Sequence, residues 1–286
     1  MAHATSAATA GTVEIVAVDA MQVYRGMDIG TAKPSAHDQA AVRHHGIDLV
    51  GPSEEFTVSE FAASARQALQ QIEGRHSRPV LVAGTGLYLR AITDPMEIPG
   101  RWPAVRGELE ERAATEGPRS LHATLASLDP AAAGRMEPTN VRRIVRALEV
   151  TIGSGRPFSS FGPGLGTYPA VDFTLVGLRW QRAVLAERIT DRVHRMIAAG
   201  LVGEVERLLG DQSGLSRTAR QALGYKEIVA HLEGECSLDE AVGTVIVRTR
   251  QFAVRQERWF RRDPRIRWVH IEHDPVAEVL AVLEPT

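Results

Sequence analysis

Apolar residues in this chain fall into two rhythms. Val13, Ile15, Val16 and Val18 make a short β-branched run with almost no charge, which predicts a strand over residues 12–19. Arg78–Ala83, Phe173–Leu178 and Ile266–Ile271 share that character and predict further strands. Elsewhere the spacing is helical. Phe61, Ala65, Leu69 and Ile72 recur along one face to Gly74, behind a capping box made by Thr57 and Glu60. Leu185, Ile189, Val193 and Ile197 form a stripe in a helical stretch over 181–209 that breaks near Gly200. Shorter helices are expected over Ser35–Val42 and from Ala222, and a long one over Leu238–Arg262. Strand, helix, strand at this spacing implies a right-handed crossover and a parallel sheet.

From Asp94 onward the rhythm changes. Asp94-Pro95, Pro99-Gly100 and Trp102-Pro103 interrupt the chain. Helical patterns then follow over Ala104–Glu116, Ser120–Leu128, Ala131–Met136 and Val141–Val150, before a stretch rich in Gly, Pro and Ser. A helical block fenced in this way predicts an inserted subdomain over 95–167, carried by an α/β core of residues 12–94 and 168–286. Residues 1–11 have no periodicity and are expected to be poorly ordered.

Composition narrows the classes. A formal net charge of −2 means that any affinity for nucleic acid must come from local basic patches. The single cysteine, Cys236, excludes an internal disulfide and a cysteine-rich zinc site. His44 and His45 are adjacent and point apart in a helix or a strand, which disfavours a metal pair. No apolar run is long enough to cross a membrane, and residues 1–10 lack the pattern of a signal peptide. The expectation is a cytoplasmic monomer.

The candidate chemistry gathers at strand ends. In open α/β sheets, ligands bind beyond the carboxyl ends of the strands. Asp19 ends the first strand, where it can serve as a base or merely cap the following turn. Thr85, in Ala83-Gly84-Thr85-Gly86-Leu87-Tyr88, falls at the same edge. Arg192 is either a site cation or a solvated position on an amphipathic helix. Arg142, Arg143 and Arg146 are either phosphate contacts or a solvated face. Arg248, Arg255 and Arg262 make a second basic stripe at heptad spacing beside Trp259, with a plain exposed helix as the alternative.

Several of these segments together resemble one family. Asp19-Ala20-Met21-Gln22-Val23-Tyr24-Arg25-Gly26, Gly30-Thr31-Ala32-Lys33-Pro34 and Ala83–Tyr88 resemble motifs of the tRNA dimethylallyltransferases. So do Arg143–Val150, Arg188–Met196, Ala222–Glu227 and Thr249–Phe260. The resemblance implies a P-loop-like parallel sheet flanked by helices, with an inserted helical subdomain that binds tRNA. It implies transfer of a dimethylallyl group from dimethylallyl diphosphate to N6 of the adenine beside the anticodon. Asp19 would be the general base, Thr85 would line the channel and Arg192 would contact the diphosphate. Asp19, Ala20, Met21, Gln22, Thr85, Arg106, Arg142, Arg143, Ile144, Val145 and Arg146 match segments that touch tRNA. Mg²⁺ is implied as a cofactor, held through a phosphate loop.

Three departures stand against that pattern. Ala20 replaces a usual Ser, Val254 replaces a usual basic residue, and no G-x-x-x-x-G-K-[ST] occurs in the sequence. The phosphate loop and its strand, interior to the sheet in such folds, are therefore expected to be missing through a reading frame begun downstream of them, and activity to be weak or absent. The rival reading is a catalytically silent tRNA-binding remnant of the family. Adenylate prenyltransferases share the core motifs, but the helical insertion and basic stripes favour a polymeric acceptor. A nucleotide kinase is disfavoured without the loop.

Overall fold

The computed structural model describes residues 12–162 and 164–283, so the expectation for residues 1–11 lies outside the described residues. The chain divides into two compact units, one of residues 12–93 with 170–283, the other Asp94–Pro169.

The first unit is built on β1 (Val13–Val18), whose β-branched residues are almost all buried. Helix α1 (Ala36–Ala41) starts at a Ser35–Asp38 capping box. The chain then enters β2 (His44–His45), α2 (Val58–Gly74), β3 (Arg78–Ala83) and α3 (Gly86–Thr93). The Thr57–Glu60 capping box opens α2 as its sequence predicts. The three strands form one parallel sheet in the order β2-β1-β3, and Val18 stands opposite Ala83. That register brings Asp19 and the Gly84-Thr85 turn to one sheet edge.

Helical insertion residues form the second unit: α4 (Pro103–Glu116), α5 (Pro118–Leu128), α6 (Pro130–Ala133), α7 (Val141–Ser154) and a 3₁₀ turn, Phe158–Ser160. Its core closes around Leu121, Leu125, Ile144 and Leu148. Helix α6 stops short of the expected Met136 because Gly134 takes the cap position.

The first unit resumes with β4 (Val176–Trp180), α8 (Arg182–Ala198) and α9 (Leu201–Gly210). It continues through α10 (Arg217–Arg220), α11 (Tyr225–Leu232), α12 (Leu238–Phe260), β5 (Arg267–Ile271) and α13 (Pro275–Leu283). Gly200, at φ +98°, breaks the helical stretch between α8 and α9 where the sequence places the interruption. β4 and β5 pair in parallel as a second sheet, so the strands occupy two sheets instead of one. Among the described residues no strand ladders to the free side of β3 or of β4. Val82 and Leu178 consequently stay exposed on strands that a parallel sheet would normally cover. β4 begins later than the expected Phe173, because its ladder starts at the Val176–Arg267 pair.

A buried ion pair ties the sheet to α2. Glu14, on the central strand, accepts from Arg75 Nε and Nη2 at 2.8 Å each, and His45 Nε2 lies 2.7 Å from its carboxylate. His44 turns away, its Nδ1 2.7 Å from the Val42 carbonyl. The Arg75 hydrogen bonds hold the Glu14 carboxyl down at about 2, against an ordinary 4.5. A depressed folded pKa adds stability that is present above about 4.5 and lost as pH falls through about 2. The thermal midpoint should therefore drop between those values, and Glu14→Gln should flatten that part of the profile. An unchanged slope in the variant would refute this assignment.

Candidate active site

The turn after β1 is fixed by its own carboxylate. Asp19 Oδ1 accepts the backbone N–H of Met21 at 2.7 Å and of Gln22 at 3.2 Å. The capping role and a chemical role thus coexist in one side chain, because Oδ2 makes no hydrogen bond among the described residues. Oδ2 faces the Gly84 turn: a Cβ added to Gly84 would lie 3.6 Å from it and 3.1 Å from Gln256 Nε2. Glycine keeps this approach open. Gln256, on α12, donates to the Gly84 carbonyl at 2.7 Å and holds the turn from the opposite side.

Thr85 follows directly, with its carbonyl engaged by the Leu89 N–H that starts α3. Its hydroxyl has no partner among the described residues. Tyr88 packs on Phe61 with ring centroids 4.9 Å apart. Burial, and then the charges of Tyr24 and Asp19, push its hydroxyl up to about 12, so it stays protonated over the physiological range. Arg192, on α8, carries no ion pair among the described residues. Burial of its guanidinium lowers its pKa, the charge of Asp19 opposes that, and neighbouring Arg195 adds to the lowering. Asp19 and Thr85 therefore share one sheet edge, a free carboxylate oxygen beside a free hydroxyl, and the Arg192 cation lies within electrostatic reach of Asp19.

Other residues hold the loop that continues from Asp19. The Gln22 amide donates to the carbonyls of Thr31 and Ala32 at 3.1 and 3.3 Å. Glu204, buried on α9, accepts the N–H groups of Asp28, Ile29 and Gly30 at 3.1, 2.8 and 3.2 Å, and also the Tyr225 hydroxyl. Burial and that bond push the Tyr225 pKa up. Lys33 pins the same loop. Its ammonium is buried and donates to the Tyr24 carbonyl at 2.8 Å and to Asp28 and Asp48 at 2.6 Å each.

In the second unit the basic residues divide. Arg142 and Arg143 are exposed on α7 and make no side-chain bonds among the described residues. Arg146 instead donates to the carbonyls of Gly100 and Pro99 at 2.9 Å each. Arg106 and Arg146 both pair at 3.2 Å with Glu149, which is 1 % exposed and also accepts the Trp102 N–H. Both arginines neutralise a buried carboxylate, Glu149. Ile144 and Val145 are in the unit's core, so their side chains offer no surface to a ligand.

The stripe on α12 is also uneven. Arg248 pairs with Glu227, Arg255 sits over the Phe252 ring at 5.7 Å, and Trp259 is half-buried against Gly86. The sequence reading gave no role to Glu204, Gln256 or Glu149. For Glu204 a signal existed: it stands at the helical spacing of Leu201, Val205 and Leu208, on the apolar stripe.

The residues present make no metal cage of their own. Among the described residues no three His, Cys, Asp or Glu side chains gather for a cation, and Asp19 is the one carboxylate at the Thr85 turn. No helix is long and apolar enough to cross a membrane among the described residues.

Known proteins align along nearly the whole chain. The sequence matches the IPP transferase family over residues 22–263. A tRNA dimethylallyltransferase of Desulforudis audaxviator is 47% identical over 260 residues, 91% of this chain and 84% of that protein. One from Streptomyces coelicolor is 45% identical over 256 residues, 90% of this chain and 81% of that protein. Among solved structures, the tRNA isopentenylpyrophosphate transferase of Bacillus halodurans superposes with TM-score 0.66 at 35% identity, over 94% of this chain and 86% of that one. A eukaryotic dimethylallyltransferase shares the fold with TM-score 0.75 at 24% identity, over 93% of this chain and 69% of that one. With that fold, that free carboxylate beside the Gly84-Thr85 turn and these matches, the chain belongs to the IPP transferase family.

Proposed function

We propose that this protein transfers a dimethylallyl group from dimethylallyl diphosphate to N6 of the adenine beside the anticodon of tRNA. The observation that carries this reading is the unbonded Oδ2 of Asp19 next to the Thr85 turn and in the field of Arg192. A new bond forms between N6 and C1 of the prenyl group as the bond from C1 to the diphosphate oxygen breaks. The N6 proton passes to Asp19 Oδ2, and diphosphate departs with the electron pair. An exocyclic amine is a weak nucleophile, so a positioned carboxylate assists it. Arg192 supplies charge to the leaving diphosphate. The adenine must leave the base stack to reach such a site. Arg142 and Arg143 supply phosphate contacts on the helical unit, where affinity needs no base reading.

A second reading has its own support. No G-x-x-x-x-G-K-[ST] occurs in the 286 residues, which leaves the diphosphate to the arginines. These residues are accordingly expected to turn over slowly, and at the limit to bind tRNA without reaction. Incubation with a tRNA transcript and dimethylallyl diphosphate, followed by nucleoside mass spectrometry, separates the two. Slow accumulation of N6-dimethylallyl-adenosine is expected, absent from a transcript lacking the target adenine. Tight tRNA binding with no product at long times would favour the silent binder, and fast turnover would contradict the expectation of slow chemistry.

A further inference from the structure

Beside the Asp19 neighbourhood lies a second feature that shares only Arg192 with the reaction above. A cavity of about 530 Å³ opens between the Asp28–Ala36 loop and the last turns of α8. Its charged lining is Asp28, Lys33, Asp48, Arg192 and Arg195. The first three neutralise one another through the Lys33 ammonium. The two arginines have no carboxylate partner among the described residues. They stand three residues apart on one helix face, close enough that Arg195 adds to the lowering of the Arg192 pKa that desolvation chiefly causes and Asp19 opposes. Two unpaired guanidiniums held on a cavity wall leave a positive site that a bound anion would relieve.

We propose that Arg195 binds a phosphodiester of the acceptor RNA in this cavity, while Arg192, on the same wall, serves the leaving diphosphate. The inference rests on the tRNA reading above and adds a backbone contact to it. Neither Asp19 nor Thr85 lines the cavity, so an anion here is set apart from the point where the amine is deprotonated. The cavity lining includes Ala32, whose carbonyl Gln22 grips, which puts it one loop away from the expected path of the RNA. A phosphate flanking the extruded nucleotide suits that position better than the donor's diphosphate.

The test is the salt dependence of tRNA binding by fluorescence anisotropy, which needs no turnover. Between 50 and 200 mM salt, Arg195→Gln should make the slope of log K against log[salt] shallower by about 0.7–0.9. Affinity at the low-salt end should fall roughly three- to tenfold. Arg195→Lys should keep the wild-type slope. Arg182→Gln, on the first turn of the same helix and outside the cavity lining, should leave it unchanged. An unchanged slope in Arg195→Gln, or an equal change in Arg182→Gln, would overturn the proposal. So would an unchanged RNA slope with weaker binding of inorganic pyrophosphate, which would reassign Arg195 to the donor. If the wild type fails to bind tRNA at all, the functional reading falls as well. If it binds and only the Arg195 slope is unmoved, this inference alone falls.

Discussion

Asp19→Asn is expected to lower the single-turnover rate of prenyl transfer by about 10²–10⁴-fold, the usual contribution of a general base. The substitution isolates chemistry from architecture. The amide oxygen can still accept the N–H groups of Met21 and Gln22, so the turn survives. An NH₂ group then replaces Oδ2, and it cannot take a proton from the amine. Affinity for tRNA should stay essentially unchanged. Asp19→Ala should add a second defect, because both turn bonds go with the carboxylate. A loss of less than about tenfold in Asp19→Asn would remove Asp19 from the chemistry.

The largest expected loss of stability belongs to Glu204→Ala. Three backbone N–H groups and the Tyr225 hydroxyl would lose their acceptor in a place that water does not readily reach. Each stranded buried donor costs about 1–3 kcal/mol, so four of them should cost at least about 4 kcal/mol. At roughly 2–4 °C per kcal/mol, calorimetry should record a midpoint lower by at least about 8 °C. Glu204→Gln keeps one acceptor oxygen and should fall between wild type and Ala. The effect should reach the site, since Asp28–Gly30 leads into the Thr31 and Ala32 carbonyls that hold Gln22. The glycine in this loop is fixed by the same contact: a Cβ on Gly30 would sit 2.4 Å from the Tyr225 ring. A midpoint within about one degree of wild type would show that the loop is held by something else.

What the sequence discloses and what it hides divide along the range of the interactions. β1 is legible because β-branched residues in a short uncharged run have few alternatives, and Asp19 is legible because a parallel sheet puts its chemistry at strand ends. The capping boxes at Ser35 and Thr57 are legible because their partners lie three residues away. Glu204 is only half legible: its place on the apolar stripe of α9 marks it as buried, but its three backbone partners are over 170 residues distant. Arg106 and Arg146 look like RNA contacts for the converse reason. Glu149 stands three residues from Arg146, but its burial and its pairing with Arg106, 43 residues away, leave no mark in the sequence. Strand limits drift for a related cause: β4 exists only where β5 offers a partner, and Phe173-Thr174 have none. Ile144 and Val145 came with a motif whose neighbouring arginines are exposed, yet the same 3.6-residue period turns them into the core.

The most direct test of the whole account is a structure of this protein bound to an anticodon stem-loop carrying the target adenine. The adenine should be swung out of the stack, its N6 about 3 Å from Asp19 Oδ2 and beside the Thr85 hydroxyl. An adenine left stacked in the loop, or seated where Asp19 cannot reach its amine, would contradict it.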